Sequence, residues 1–278
     1  MKLNNGVILP DLSLGTFKLQ GETCYTITYN AISQGLYSSI DTASCYFNHR
    51  EISRAIKDSG VKRESLFITS KIAPKEMGTE QARKAINDIL GELEIEYIDM
   101  LLLHWPAKSR IPGNSPKHEE YRLDTWKIME ESFKEGKCKC IGVSNFEINH
   151  LQSLLPHCEI IPVVNQIEFH PHLFQKELQT FCEKQNIRIQ AYASLGNGNL
   201  LRNDIIVSLS KQLDKTPAQI LIKWGIQKNV GAIVKASSIE RIIENTKHTD
   251  FTLSDEQIQL LDNLHSNQRY CWDPSIIR

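Results

Sequence analysis

Asp41, Lys71 and His104 each close an apolar run: Tyr37-Ser-Ser-Ile40, Leu66-Phe-Ile-Thr-Ser70 and Ile98-Asp-Met-Leu-Leu-Leu103. Tyr46 follows Asp41 on the same connection. A carboxylate, an ammonium, an imidazole and a phenol together suit the delivery of a proton to a carbonyl oxygen. In this reading Tyr46 is the acid, and Lys71 lowers its pKa from the ordinary phenol value of about 10. Asp41 pairs with Lys71 and holds it, and His104 hydrogen-bonds the carbonyl oxygen. The carbon needs a hydride, so the same site needs an oriented nicotinamide.

Four residues so far apart in the chain converge only if successive strand ends open onto one face. Apolar strand-like runs begin near Leu12, Tyr37, Leu66, Ile98, Cys140, Val163, Ile187 and Gly231 and alternate with helix-like segments. Each unit is roughly thirty residues, the size of a βαβ step. The fold expected is an α/β (β/α)8 TIM barrel over residues 1–278 as one domain. Asn5-Gly6 predicts an N-terminal β-hairpin, with both residues at positive φ between Lys2-Leu3 and Val7-Ile8-Leu9.

Helices are legible from their stripes. Ala82, Ala85, Ile86, Ile89, Leu90 and Leu93 recur at spacings of three and four, as do Leu123, Trp126, Met129 and Phe133. Thr216-Pro217 predicts a helix start, and Ser254 with Gln257 a capping box. Three connections exceed a tight turn: His104 to Tyr121, Leu195 to Arg202, and the tail from Ser266. All three are expected at or near the barrel mouth, where such loops shape a pocket.

Composition narrows the partners. Apolar residues make up 41% of the 278 and charged residues 23%, the balance of a globular protein with a large core. A formal net charge of −1 with scattered Lys and Arg gives no field for nucleic acid. No run approaches the roughly 18 apolar residues of a membrane span, and Met1-Lys-Leu-Asn-Asn-Gly6 carries no signal-peptide core, so the expectation is a cytoplasmic protein with no membrane partner. The seven cysteines include no CxxC pair and are read as reduced, mostly buried thiols, Cys45 among them as packing. No metal site is expected.

The motifs Asp41-Thr-Ala-Ser-Cys-Tyr46-Phe-Asn48, Thr69-Ser-Lys71, Leu101-Leu-Leu-His104-Trp-Pro106, Gly142-Val-Ser-Asn-Phe146 and Asn165-Gln-Ile-Glu-Phe-His-Pro171 resemble those of the aldo-keto reductases. They run in family order from Gly15-Thr16 to Trp272-Asp273-Pro274. The resemblance implies an NADPH/NADP+-dependent oxidoreductase that reduces aldehydes and some ketones, with Asp41, Tyr46, Lys71 and His104 as its catalytic tetrad. It implies a cofactor held by Thr16, Asp41, Ser144, Asn145, Gln166, Tyr192 and Leu195 toward the nicotinamide. It also implies cofactor-binding roles for Lys235, Ser237, Ser238, Arg241, Glu244 and Asn245, with Lys235 and Arg241 gripping the adenosine 2′-phosphate. Phe17, Tyr46, Phe47, His104 and Trp105 are the expected substrate wall, and His170 is expected beneath the site as support.

The chain departs from the family pattern at His49 (usually glutamate), Ser53 (glycine), Ala236 (serine) and Ala193-Ser-Leu-Gly196 (Ser-Pro-Leu-Gly). The tail after Ser266 is shorter than in the steroid-reducing members, which implies an open pocket for small aldehydes and dicarbonyls. A monomer acting on a small carbonyl compound is expected. The rival reading is a non-catalytic NADPH-binding barrel of the channel β-subunit or crystallin kind, since fold alone does not fix function. A metal-dependent barrel hydrolase or lyase has no ligand cluster to build on.

Overall fold

The computed structural model describes residues 1–278. Eight parallel strands form a closed barrel: β1 (Leu12–Gly15), β2 (Ser39–Asp41), β3 (Phe67–Ile72), β4 (Met100–Leu103), β5 (Ile141–Ser144), β6 (Val164–Glu168), β7 (Arg188–Tyr192) and β8 (Gly231–Val234). β8 returns to β1 with Leu12, Ser13 and Leu14 opposite Ala232, Ile233 and Val234, which leaves no free edge. Each strand begins within two residues of its expected start. The signal was strong because a parallel strand buried on both faces reads as an almost unbroken apolar run.

Ten α-helices surround the barrel: α1 (Gly21–Ser33), α2 (His49–Ser59), α3 (Thr79–Leu93), α4 (Lys117–Lys134), α5 (Ile148–Leu154), α6 (Lys176–Lys184), α7 (Asp204–Leu213), α8 (Pro217–Gln227), α9 (Ile239–Thr246) and α10 (Asp255–Asp262). Ala82, Ala85, Ile86, Ile89 and Leu93 of α3 are buried as their spacing requires. Thr216 with Gln219 and Ser254 with Gln257 form capping boxes on α8 and α10. The last β-to-β connection differs from the simple repeat, since it holds both α7 and α8. Asn203 starts the extra helix by accepting from the amides of Ile205 and Ile206.

At the N-terminus Lys2 and Ile8 pair antiparallel, and the Leu3 amide reaches the Val7 carbonyl at 2.9 Å. Gly6 alone takes positive φ there, at 86°. The turn is therefore a three-residue loop with a glycine bulge, not the two-residue turn with Asn5 also at positive φ. Leu3 and Leu9 pack with Phe67, Met100, Leu102 and Val164, residues at or near strand starts, and so plug the barrel's lower end. The opposite end, where the strands finish, remains open for chemistry.

The connection expected to run from His104 to Tyr121 ends earlier, because α4 begins at Lys117. Leu195 to Arg202 coils into a 3₁₀ stretch, Gly196–Arg202, broken by Asn197 and Gly198 at positive φ. The tail crosses the end of β6: the amides of Tyr270 and Cys271 donate to the two oxygens of Glu168 at 2.6 and 3.3 Å. Asn197 Nδ2 donates to the Tyr270 carbonyl at 3.1 Å, so two of the three long segments touch.

Candidate active site at the open end of the barrel

Asp41 is the last residue of β2, Lys71 is the penultimate residue of β3, and His104 follows β4 directly. Tyr46 ends a short 3₁₀ turn, Ser44–Tyr46, fixed by a 2.5 Å hydrogen bond from Ser44 Oγ to Glu76 Oε2. The strand register thus brings all four to one end of the barrel. Lys71 is fully buried at 0% exposure, and its Nζ donates to Asp41 Oδ1 at 2.6 Å and to the Thr42 carbonyl at 2.8 Å. A buried ammonium needs such partners, because leaving it unpaired would cost several kcal/mol, on the order of 3–5. Its contact with the Tyr46 hydroxyl is long, at 3.5 Å.

That geometry corrects one expectation. Burial first, and the Asp41 charge second, push the Tyr46 phenol well above its ordinary value of 10.0. That rise outweighs whatever lowering Lys71 supplies across its 3.5 Å contact. The resting phenol is consequently protonated across neutral pH, the form a proton donor requires. His104 is pushed down to about 3, by burial and then by Lys71, and is a neutral imidazole. The rings of Tyr46 and His104 meet edge to face with centroids 5.7 Å apart.

A second set of polar groups adjoins these four. Gln166 Nε2 donates to Asp41 Oδ2 at 2.8 Å and to Gln190 Oε1 at 3.0 Å. Asn145 Nδ2 donates to the His104 carbonyl at 2.9 Å, and the Tyr192 hydroxyl donates to Asn145 Oδ1 at 2.5 Å. Ser144 Oγ donates to the Gln166 carbonyl at 2.8 Å. Thr16 is buried, with its hydroxyl on the Asp41 carbonyl at 2.9 Å. Asn145 holds φ at 64°, a left-handed conformation that asparagine tolerates better than most residues, and this turns the chain just past β5. Leu195 caps the 3₁₀ stretch after β7.

Farther out, Ser238 caps α9 by accepting from the Arg241 amide at 3.4 Å. Lys235, Ser237 and Arg241 are exposed around that helix start, and neither cation has a carboxylate partner. Two unpaired cations beside free helix N–H groups fit a phosphate dianion. Ala236 is buried and offers it nothing. Glu244 and Asn245 stand apart from this cluster: Glu244 Oε1 accepts from Thr216 Oγ1 at 2.7 Å, and Asn245 is buried.

Of the expected apolar wall, Phe17 lies 5.0 Å from Tyr46 between ring centroids and is 43% exposed. Phe47 is 71% exposed at φ 54°, and Trp105 is half-buried beside His104. His170 is fully buried and its Nε2 donates to Glu168 Oε1 at 3.0 Å, the same carboxylate that accepts from the tail. Sequence reasoning missed Gln190, whose amide links Gln166 to Ser13 at 3.2 Å; a lone glutamine inside the run Ile187-Arg-Ile-Gln-Ala-Tyr192 was the available signal. Cys45, read as packing, is partly buried, and its Sγ also lies 3.6 Å from His104 Nδ1. The Thr42 carbonyl gave no side-chain signal at all.

The structure is a closed parallel α/β barrel with a buried Lys–Asp pair, a phenol and a neutral imidazole gathered at the end where the strands finish. The aldo/keto reductase family model matches residues 11–266, and the chain belongs to that family. It is 40% identical over 269 residues to the glyoxal reductase of Bacillus subtilis, covering 97% of this chain and 94% of the relative. It is 35% identical over 276 residues to the methylglyoxal reductase DkgA of Escherichia coli, covering 99% and 96%. Among solved structures, an aldo-keto reductase from a Medee basin deep-sea metagenome library superposes with a TM-score of 0.90 at 37% identity, covering 97% of this chain and 96% of that one.

Proposed function

We propose that this protein reduces aldehydes and small dicarbonyls to alcohols with NADPH, using Tyr46 as the general acid. The observation that carries the reading is the chain Asp41–Lys71–Tyr46 with His104 edge-on to the phenol, all at the barrel's open end. Glyoxal and methylglyoxal are the favoured substrates, because relatives of 40% and 35% identity are named for them. Phe17 packs against Tyr46, and Phe17 and Phe47 are both exposed, so their rings could contact such a substrate.

In this account Ser144, Asn145 and Gln166 would hold the carboxamide of the nicotinamide, Tyr192 would lie against its ring, and Lys235 with Arg241 would hold the 2′-phosphate. The bound cofactor supplies the hydride. His104 hydrogen-bonds the carbonyl oxygen and fixes which face is presented. As negative charge develops on that oxygen, Tyr46 transfers its proton to it. The phenolate left behind lies against Lys71 and regains a proton from solvent.

The test is consumption of NADPH with glyoxal, methylglyoxal and a simple aromatic aldehyde, with NADH in parallel. Turnover with NADPH supports the reading. NADPH that binds without turnover on any of these carbonyls would instead place the chain with non-catalytic barrels.

A further inference from the structure

We propose that Cys45 is a positioning residue for His104: its thiol donates to His104 Nδ1, which puts the imidazole proton on Nε2, facing the substrate oxygen. The inference rests on the carbonyl-reducing reading above. It concerns which of two neutral imidazole forms the folded chain selects.

A neutral imidazole donates from one nitrogen and accepts at the other, so the partner of either nitrogen decides the tautomer. His104 has a single side-chain partner, Cys45 Sγ, 3.6 Å from Nδ1 and within the reach of sulfur. Its main chain is fixed independently, with the amide on the Ile72 carbonyl at 3.1 Å and the carbonyl on Asn145 Nδ2 at 2.9 Å. Nε2 has no protein partner and keeps some exposure, so it is the ring nitrogen left to meet a substrate at this end of the barrel.

The direction of the Cys45 contact follows from chemistry. Burial pushes the Cys45 thiol up, which keeps the proton on sulfur. Sulfur is a weak acceptor and an imidazole nitrogen a good one, so S–H to Nδ1 is the favoured arrangement. The opposite arrangement would place the proton on Nδ1 and turn a bare lone pair toward the carbonyl oxygen, where it repels. Cys45 and Tyr46 share the turn held by Ser44 and Glu76, so one short segment sets both the proton donor and the group that orients His104.

The experiment combines nitrogen NMR of histidine-labelled free protein with kinetics on wild type, Cys45→Ala and Cys45→Ser. The His104 signals are assigned by their loss in His104→Gln. Wild type is expected to carry its proton on Nε2. Cys45→Ala should mix the two tautomers and lower kcat about three- to tenfold, the value of one modest hydrogen bond, with NADPH affinity unchanged. Cys45→Ser, which restores a donor, should return both. A proton on Nδ1 in wild type, or an unchanged tautomer in a folded Cys45→Ala, would overturn the inference. Because the NMR reads the free protein, a wild type inactive on every carbonyl would sink the proposed function while the tautomer assignment stood or fell on its own signals.

Discussion

Lys71 Nζ sits 2.6 Å from Asp41 Oδ1, closer by almost an ångström than to the Tyr46 hydroxyl at 3.5 Å. The ion pair is therefore a structural unit first; in the proposed mechanism the cation faces a second negative charge only as Tyr46 gives up its proton. Removing either partner strands the other in the core. Asp41→Asn or Lys71→Met should each destabilise the fold by about 3–5 kcal/mol, and the double variant should regain much of that loss. Urea unfolding of the three variants checks this; additive losses in the double variant would contradict it.

The Tyr46 phenol, raised by burial and by Asp41, should remain protonated in the free protein beyond pH 10. An ultraviolet difference titration of wild type against Tyr46→Phe isolates its ionisation. A phenolate appearing near neutral pH would restore the idea that Lys71 acidifies it at rest.

The depressed His104 makes acid a stress on the fold. Below its ordinary value of 6.5 the unfolded chain binds a proton that the native protein refuses until about 3. Stability should therefore be full above 6.5 and decline as pH falls toward 3. His150, lowered to about 4 by burial, adds to the same slope. Urea midpoints between pH 7 and 4 measure it, and His104→Asn should flatten the decline in part.

Lys235→Ala and Arg241→Ala should each raise the KM for NADPH about tenfold or more, since each removes a charge-assisted contact to phosphate. NADH, which lacks that phosphate, should be used as before. Equal losses with both cofactors would move the phosphate site elsewhere.

The barrel was legible because eight apolar runs at regular spacing are hard to mistake; of the four candidate groups, Asp41, Lys71 and His104 stood out because each ends or follows such a run, and Tyr46 through its place on the connection after Asp41. Distances were not. No sequence pattern tells how deeply the Tyr46 phenol is buried or that the Asp41 charge also acts on it, so the direction of the Tyr46 shift was misread. Helix α7 was not singled out, although Asn203 caps it and Ile206 and Leu209 lie on its buried face three residues apart. The Cys45 contact with His104 bridges residues on different connections, and only the folded register brings those together.

The central claim is that Tyr46 hands its proton to the substrate oxygen as hydride arrives at the carbon. The most direct measurement is single-turnover reduction of methylglyoxal by NADPH-loaded wild type and Tyr46→Phe, with NADPH affinity determined on both. The account predicts a rate lower by about 10²–10⁴-fold and an affinity within about twofold. A Tyr46→Phe protein that turns over at near the wild-type rate would contradict it.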